Sequence, residues 1–191
     1  MMKNFIKNLP VITIALSPVA ASFGDYDLSF SQNEITLNQG ESTQVGILMS
    51  TTDFWFGGEV SINSSIDSAP GLISSIDAAL SLGGIPLGPT AFTSSYQLGN
   101  ATQLSYADLS GLGFTPGNYE MGTISLDASD IAVGQYQLDF NSSLTSMQDL
   151  LIQDLDQGNL SGTLINIVPA PGAIGLAFLG LTFSTRKRRK E

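Results

Sequence analysis

The sequence predicts an all-β protein built as an antiparallel β-sandwich, and three observations support this. Apolar and polar residues alternate with period two along most of the interval 25–167, as half-buried strands require, because successive side chains point to opposite faces. Clusters of Gly, Asn, Asp, Ser and Pro separate the alternating runs. The segment between the two chain ends, residues 22–167, has the size of one domain able to bury a substantial core.

In chain order, Tyr26, Leu28 and Phe30 alternate with Asp27, Ser29 and Ser31, and Ile35 and Leu37 follow before a turn at Asn38-Gln39-Gly40-Glu41. Val45, Ile47 and Met49 form the next run, then Val60 and Ile62. Leu72, Ile73, Ile76 and Leu80 fall at helical spacing between Pro70-Gly71 and Gly83-Gly84, which predicts a short helical interruption. Residues 82–95, rich in Gly, Pro and Ser, are expected to form a long surface loop. Strands resume at Leu104 and Tyr106, Ile124 and Leu126, and Tyr136, Leu138 and Phe140, and Ile165 and Ile167 close the series. In Phe54-Trp55-Phe56, alternation sets Trp55 opposite its two neighbours. Either one side presents a stacking surface for a sugar or a partner protein, with Trp55 the candidate ligand face, or all three fill the core.

Charge divides the chain. No Lys or Arg occurs between residues 8 and 185, while sixteen of the seventeen acids do, so this interval carries a formal charge of −16. It contains no cation for a side-chain ion pair, and its charge disfavours binding to nucleic acid or anionic lipid by electrostatics. With no Cys and no His anywhere, disulfides, His- or Cys-based zinc sites and Ser-His-Asp or Cys-His catalysis are excluded too.

Carboxylates remain. Asp149, Asp154 and Asp156, followed by Gln157-Gly158-Asn159, suit both a plain turn and a calcium loop, with Asp154 and Asp156 the candidate ligands; the closing Glu of an EF-hand is missing. No cofactor is expected, unless these residues hold a hard cation such as calcium. Asp53, Glu59 and Asp67, or Asp127 and Asp130, would pair as the acids of a glycoside hydrolase only if the fold brought them together.

Both ends read as topogenic. Residues 1–21 have the form of a secretory signal peptide: Lys3 and Lys7, an apolar stretch from Leu9 to Leu16, and small residues Val19-Ala20-Ala21. The last part, 168–191, joins Val168-Pro169-Ala170-Pro171-Gly172 to an uncharged run, Ala173 to Phe183, and to Arg186, Lys187, Arg188, Arg189 and Lys190. As a helix, residues 172–185 would reach roughly 21 Å, short of a bilayer core of about 30 Å. The run is therefore expected to be a single short, transient membrane anchor, with the basic cluster retained in the cytoplasm; a buried C-terminal helix is the alternative.

This three-part tail resembles the PEP-CTERM sorting signal, the substrate tail of exosortases. Ala170 stands where that family usually has Glu. The resemblance implies an exosortase-like processing enzyme as partner, cleavage near Pro169–Pro171, and delivery to the cell surface or the extracellular matrix. The strand order of residues 25–168, including Gly117–Leu126 and Gly134–Leu138, resembles cohesin-like and carbohydrate-binding-module-like jelly rolls. The expected function is a non-enzymatic structural or adhesive surface module; a carbohydrate- or protein-binding module, with a polysaccharide or a surface protein as partner, is the alternative. Trypsin is expected to find no site between Lys7 and Arg186 even in denatured protein; a fragment cut inside that interval would contradict this reading.

Overall fold

The computed structural model describes residues 25–64, 71–98 and 101–171. Thirteen strands account for nearly all of the regular structure: β1 (Tyr26–Phe30), β2 (Glu34–Asn38), β3 (Ser42–Thr51), β4 (Gly57–Ser64), β5 (Ile73–Leu82), β6 (Ile85–Pro86), β7 (Ala91–Leu98), β8 (Ala101–Asp108), β9 (Gly117–Asp127), β10 (Gly134–Phe140), β11 (Ser146–Gln148), β12 (Gln157–Ser161) and β13 (Thr163–Val168). They form two sheets. The first runs β12-β1-β3-β9-β5-β6 and the second β2-β13-β10-β4-β8-β7, with β11 added beside β4.

The alternation translates directly into packing. Tyr26, Leu28 and Phe30 of β1, and Val45, Ile47 and Met49 of β3, point inward from the first sheet. Val60 and Ile62 of β4, Leu104 and Tyr106 of β8, Leu138 and Phe140 of β10, and Ile165 and Ile167 of β13 meet them from the second. Phe30 and Phe140 stack across the gap with centroids 4.6 Å apart.

The sandwich is not wholly antiparallel. β1 pairs in parallel with β12, and β2 in parallel with β13. The reason lies in how the chain changes sheets. It passes from the first sheet to the second between β1 and β2, and again at Gly162 between β12 and β13, in the same direction both times. The Leu164 N–H donates to the Asn33 carbonyl at 3.0 Å, joining the two crossings. A Cβ on Gly162 would lie 2.7 Å from the Leu138 carbonyl oxygen, so a side chain there would force the second crossing away from β10.

The expected helix at Leu72–Leu80 is strand β5. Its register against β9 shifts between Ile73 and Ser75 and again between Ala78 and Ser81. These bulges reset the period-two alternation and leave the apolar residues at spacings that mimic a helix. Half of the expected 82–95 loop is strand as well. Gly83 and Gly84, with φ of 58° and 79°, turn β5 into β6. After a single 3-10 turn at Gly88–Thr90, β7 pairs with β8 along its whole length.

Strand β9 holds the second phase change. Tyr119 and Met121 face the core at odd positions, Ile124 and Leu126 at even ones. The switch occurs at Gly122, where Ile47 pairs with Gly122 but Leu48 pairs with Glu120. At φ 151°, a Cβ on Gly122 would lie 2.2 Å from the Asp77 carbonyl oxygen. Gly122→Ala is therefore expected to cost about 3 kcal/mol through backbone displacement in a central strand. Gly40→Ala, where nothing lies within 4 Å of the added carbon, should cost only about 1 kcal/mol through its positive φ. Thermal unfolding of the two variants checks this, and equal losses would contradict the bulge argument.

Candidate functional site

The aromatic stretch does not present a ligand face. Trp55 is fully buried, 6.3 Å from the Tyr106 ring, 4.4 Å from Phe114 and 5.4 Å from Tyr119. Its backbone exchanges two hydrogen bonds with Phe114, and its indole N–H has no partner. Burial thus overturns the expectation that Trp55 binds a ligand from the surface. Phe54, on the opposite side, is the residue that faces solvent.

Three loops gather around this cage at one end of the sandwich: 52–56, 109–114 and 149–155. The Trp55–Phe114 bridge joins the first two, the Phe56 N–H donates to the Gln148 carbonyl at 2.7 Å, and the Leu150 side chain lies where a Cβ on Gly113 would meet it at 3.4 Å. Each of the two longer loops is held by one carboxylate. Asp108 accepts from Ser110 N–H and Oγ–H, Leu112 N–H and Gly113 N–H at 2.7–3.0 Å. Burial by itself would raise its pKa, but these hydrogen bonds together outweigh burial and hold it below the ordinary carboxylate value. Asp149 Oδ1 accepts from the Leu151 and Gln153 N–H groups at 2.7 and 2.9 Å.

With their polar groups turned inward onto these carboxylates, the loops put apolar side chains into solvent. Leu112, Leu151 and Ile152 are 76, 75 and 73 % exposed, and Phe54, Leu109 and Leu150 extend the same end. Ile152 has φ 61°, a conformation that a β-branched residue rarely adopts. Exposed apolar side chains gathered at one end of a fold are a candidate interaction site, whereas singly scattered ones need no explanation. Nothing in the sequence pattern singled these residues out, since Asp149-Leu150-Leu151-Ile152 reads like a fragment of a buried strand.

The other expected sites are dispersed. Asp53 shares a hollow with Phe54, Asp149, Leu150 and Leu155, whereas Glu59 accepts from Gln103 Nε2 at 2.6 Å on β8; Asp67 lies outside the described residues. Asp127 accepts from Ser129 N–H and Oγ–H and is held below the ordinary carboxylate value by them. Among the described residues no group of three or more Asp or Glu is placed to hold a metal. Asp154 accepts from Gln148 Nε2, and the Asp156 carbonyl accepts from the Asp25 N–H while the Asp156 N–H donates to Asp25 Oδ2, so both belong to strand and turn pairing. Val168 is the last residue of β13, and its carbonyl accepts from Gln39 N–H at 2.8 Å. Pro169 and Pro171 are exposed immediately beyond it. Residues 1–21, Gly172, the Ala173–Phe183 run and the basic cluster 186–190 lie outside the described residues; among those described, no helix is long and apolar enough to cross a membrane.

No protein-family model matches the sequence, and no curated protein does. Solved structures do match. A type I cohesin from Clostridium thermocellum, solved in a cohesin–dockerin complex, aligns over 76% of this chain and 100% of its own, with 15% identity and a TM-score of 0.57. The fold is cohesin-like. A non-cellulosomal cohesin from Archaeoglobus fulgidus aligns over 80% of this chain and 96% of its own, with 12% identity and a TM-score of 0.54. The cohesin module of a Clostridium perfringens family 33 glycoside hydrolase covers 77% and 99%, with 12% identity and a TM-score of 0.53. At these identities the likeness establishes the architecture of the sandwich.

The titrating groups set a pH dependence. Asp108, Asp127 and Glu41 (which accepts from the Asn38 N–H and side-chain amide) are lowered from ordinary values of 3.8 and 4.5, so their contribution is complete above that range and lost as pH falls through and below about 4. Tyr26 and Tyr106 are raised from 10.0, chiefly by burial, so theirs is complete below pH 10 and lost as pH rises further. Without His or Cys, stability is expected to be level between these limits. Asp108→Asn should cost about 2 kcal/mol at neutral pH by weakening charge-assisted hydrogen bonds. That difference from wild type should shrink as pH falls below the ordinary carboxylate range and Asp108 takes up a proton in its turn; a difference that never shrinks down to the acid unfolding limit would rule out the carboxylate's charge as the cause.

Proposed function

We propose that this chain is an exported protein of the cell surface or extracellular matrix, sorted by an exosortase-like system. Its cohesin-like sandwich acts as a non-enzymatic module that works by holding another protein or a structural element. The observation that carries this reading is the junction at Val168. There the last strand of a cohesin-like sandwich ends, and Pro169-Ala170-Pro171 follows in the next three positions with both prolines exposed. A processing enzyme would meet Pro169 and Pro171 right outside the last strand of the sandwich.

Two further features support the reading. Solved structures of similar fold include cohesins in complex with dockerins, which makes a protein partner the natural expectation for the module. All basic charge lies in the two ends expected to be processed, and the segment between them is cation-free. The route is through a transiently membrane-anchored precursor, with Arg186–Lys190 kept on the cytoplasmic side. The sugar-stacking alternative loses its footing because Trp55 is in the core.

Replacing both Pro169 and Pro171 by Ala should leave an uncleaved, membrane-retained precursor in a host with an exosortase, while the sandwich stays folded. Fractionation with immunoblotting reads the outcome, and normal release of the double variant would sink the sorting proposal.

A further inference from the structure

We propose that the apolar loop end built from residues 52–56, 109–114 and 149–155 docks a polypeptide segment whose apolar side chains are flanked by lysine or arginine. This rests on the reading of the sandwich as a binding module, and it names both the surface and the chemistry of the partner.

The surface is held open by its own hydrogen bonds. Asp108 and Asp149 take up five backbone N–H groups between them, at Ser110, Leu112, Gly113, Leu151 and Gln153. This keeps Leu112, Leu151 and Ile152 turned outward. Ile152 stays in the left-handed region at φ 61° although the side chain it carries disfavours that conformation. The apolar contact area is therefore formed before any partner arrives, which lowers the ordering cost of binding.

Charge selects among occupants. Asp53, Asp149 and Asp154 belong to the loops themselves, and Asp25 and Asp156 adjoin them, since the Thr52 N–H donates to the Asp25 carbonyl and the Asp156 N–H to Asp25 Oδ2. No Lys or Arg within residues 8–185 offsets this collar. A second copy would set one collar against another, and an anionic lipid surface would be repelled in the same way. A segment with cations around an apolar stretch meets both parts of the surface at once.

Position agrees with this. The loop end adjoins Thr51, the last residue of β3, whereas Val168 is bonded to Gln39 beside Gly40 and Ala128, next to the first residue of β3. Ten strand residues separate the two ends, or about 33 Å. In a precursor held by its C-terminal tail, the apolar end faces away from the membrane and toward partners.

The chain has no cysteine, so Leu151→Cys in the full-length protein provides one site for an environment-sensitive dye. The labelled protein, held in phosphatidylcholine nanodiscs, is titrated with a synthetic amphipathic Leu/Lys peptide and with a Leu/Glu peptide of the same pattern. A saturable blue shift with Leu/Lys alone is expected. It should weaken about tenfold, the loss typical of removing an anchor residue, in Leu112→Ser/Ile152→Ser and again in Asp53→Asn/Asp154→Asn. Circular dichroism confirms that each variant is folded. An equal response to Leu/Glu, a shift on adding phosphatidylglycerol vesicles without peptide, or a shift that grows with protein concentration would overturn the proposal in favour of a neutral apolar partner, a membrane or a second copy. Response from dye at Tyr96→Cys on β7 instead of Leu151→Cys would overturn this surface yet keep the binding module. Silence at both positions would count against the module itself.

Discussion

The sandwich depends on the pairing of its two crossings between sheets. β1 and β2 are five residues each, one beside β3 inside the first sheet and the other at the edge of the second. Each becomes secure by lying parallel to a strand from the other end of the chain, β1 to β12 in the first sheet and β2 to β13 in the second. The Leu164–Asn33 hydrogen bond at the crossing joins residues 131 positions apart. Contacts of such sequence separation carry a loop-closure cost that local structure must already have offset. Once made, they fix where the chain enters, at Asp25 beside the apolar loops, and where it leaves, at Val168 on the opposite end.

The absence of cations between residues 8 and 185 imposes the second constraint. Acids in this segment cannot be neutralised by ion pairs, so many are neutralised by backbone N–H groups and hydroxyls. Glu41 does this for the turn after β2, Asp127 for the turn after β9, and Asp108 and Asp149 for the two loops of the apolar end. A carboxylate that accepts several local N–H donors is both stabilised and rigid. The same chemistry that lets an acidic domain fold leaves its loop side chains free to face outward, and at one end those side chains are leucine and isoleucine.

Much of this architecture was legible in the pattern of residues. Tyr26-Leu28-Phe30, Val45-Ile47-Met49 and Tyr136-Leu138-Phe140 alternate without interruption and are strands where the alternation places them. The misreadings cluster at register shifts. Leu72 to Leu80 looked helical because bulges in β5 break the period of two, and β7 passed for loop because Ser and Thr fill positions that alternation expects to be apolar. For Trp55, alternation identified two opposite faces correctly but could not tell which one met Phe114 and Tyr119. The candidate site was the least legible part, since Leu150, Leu151 and Ile152 are apolar residues whose exposure no local rule foretells.

By itself, the sequence determined the division of charge, the positions of most strands and the place where the last strand gives way to Pro169-Ala170-Pro171. These are properties of residues and their near neighbours, governed by alternation, turn chemistry and the reach of an apolar run. Only the tertiary structure decided the parallel pairing of the chain's two ends, the burial of Trp55 and the gathering of three loops into one apolar, acid-rimmed surface. Those outcomes depend on contacts such as Trp55 with Phe114 and Asp25 with Asp156, between segments far apart in the chain, and such contacts exist only once both sheets have closed.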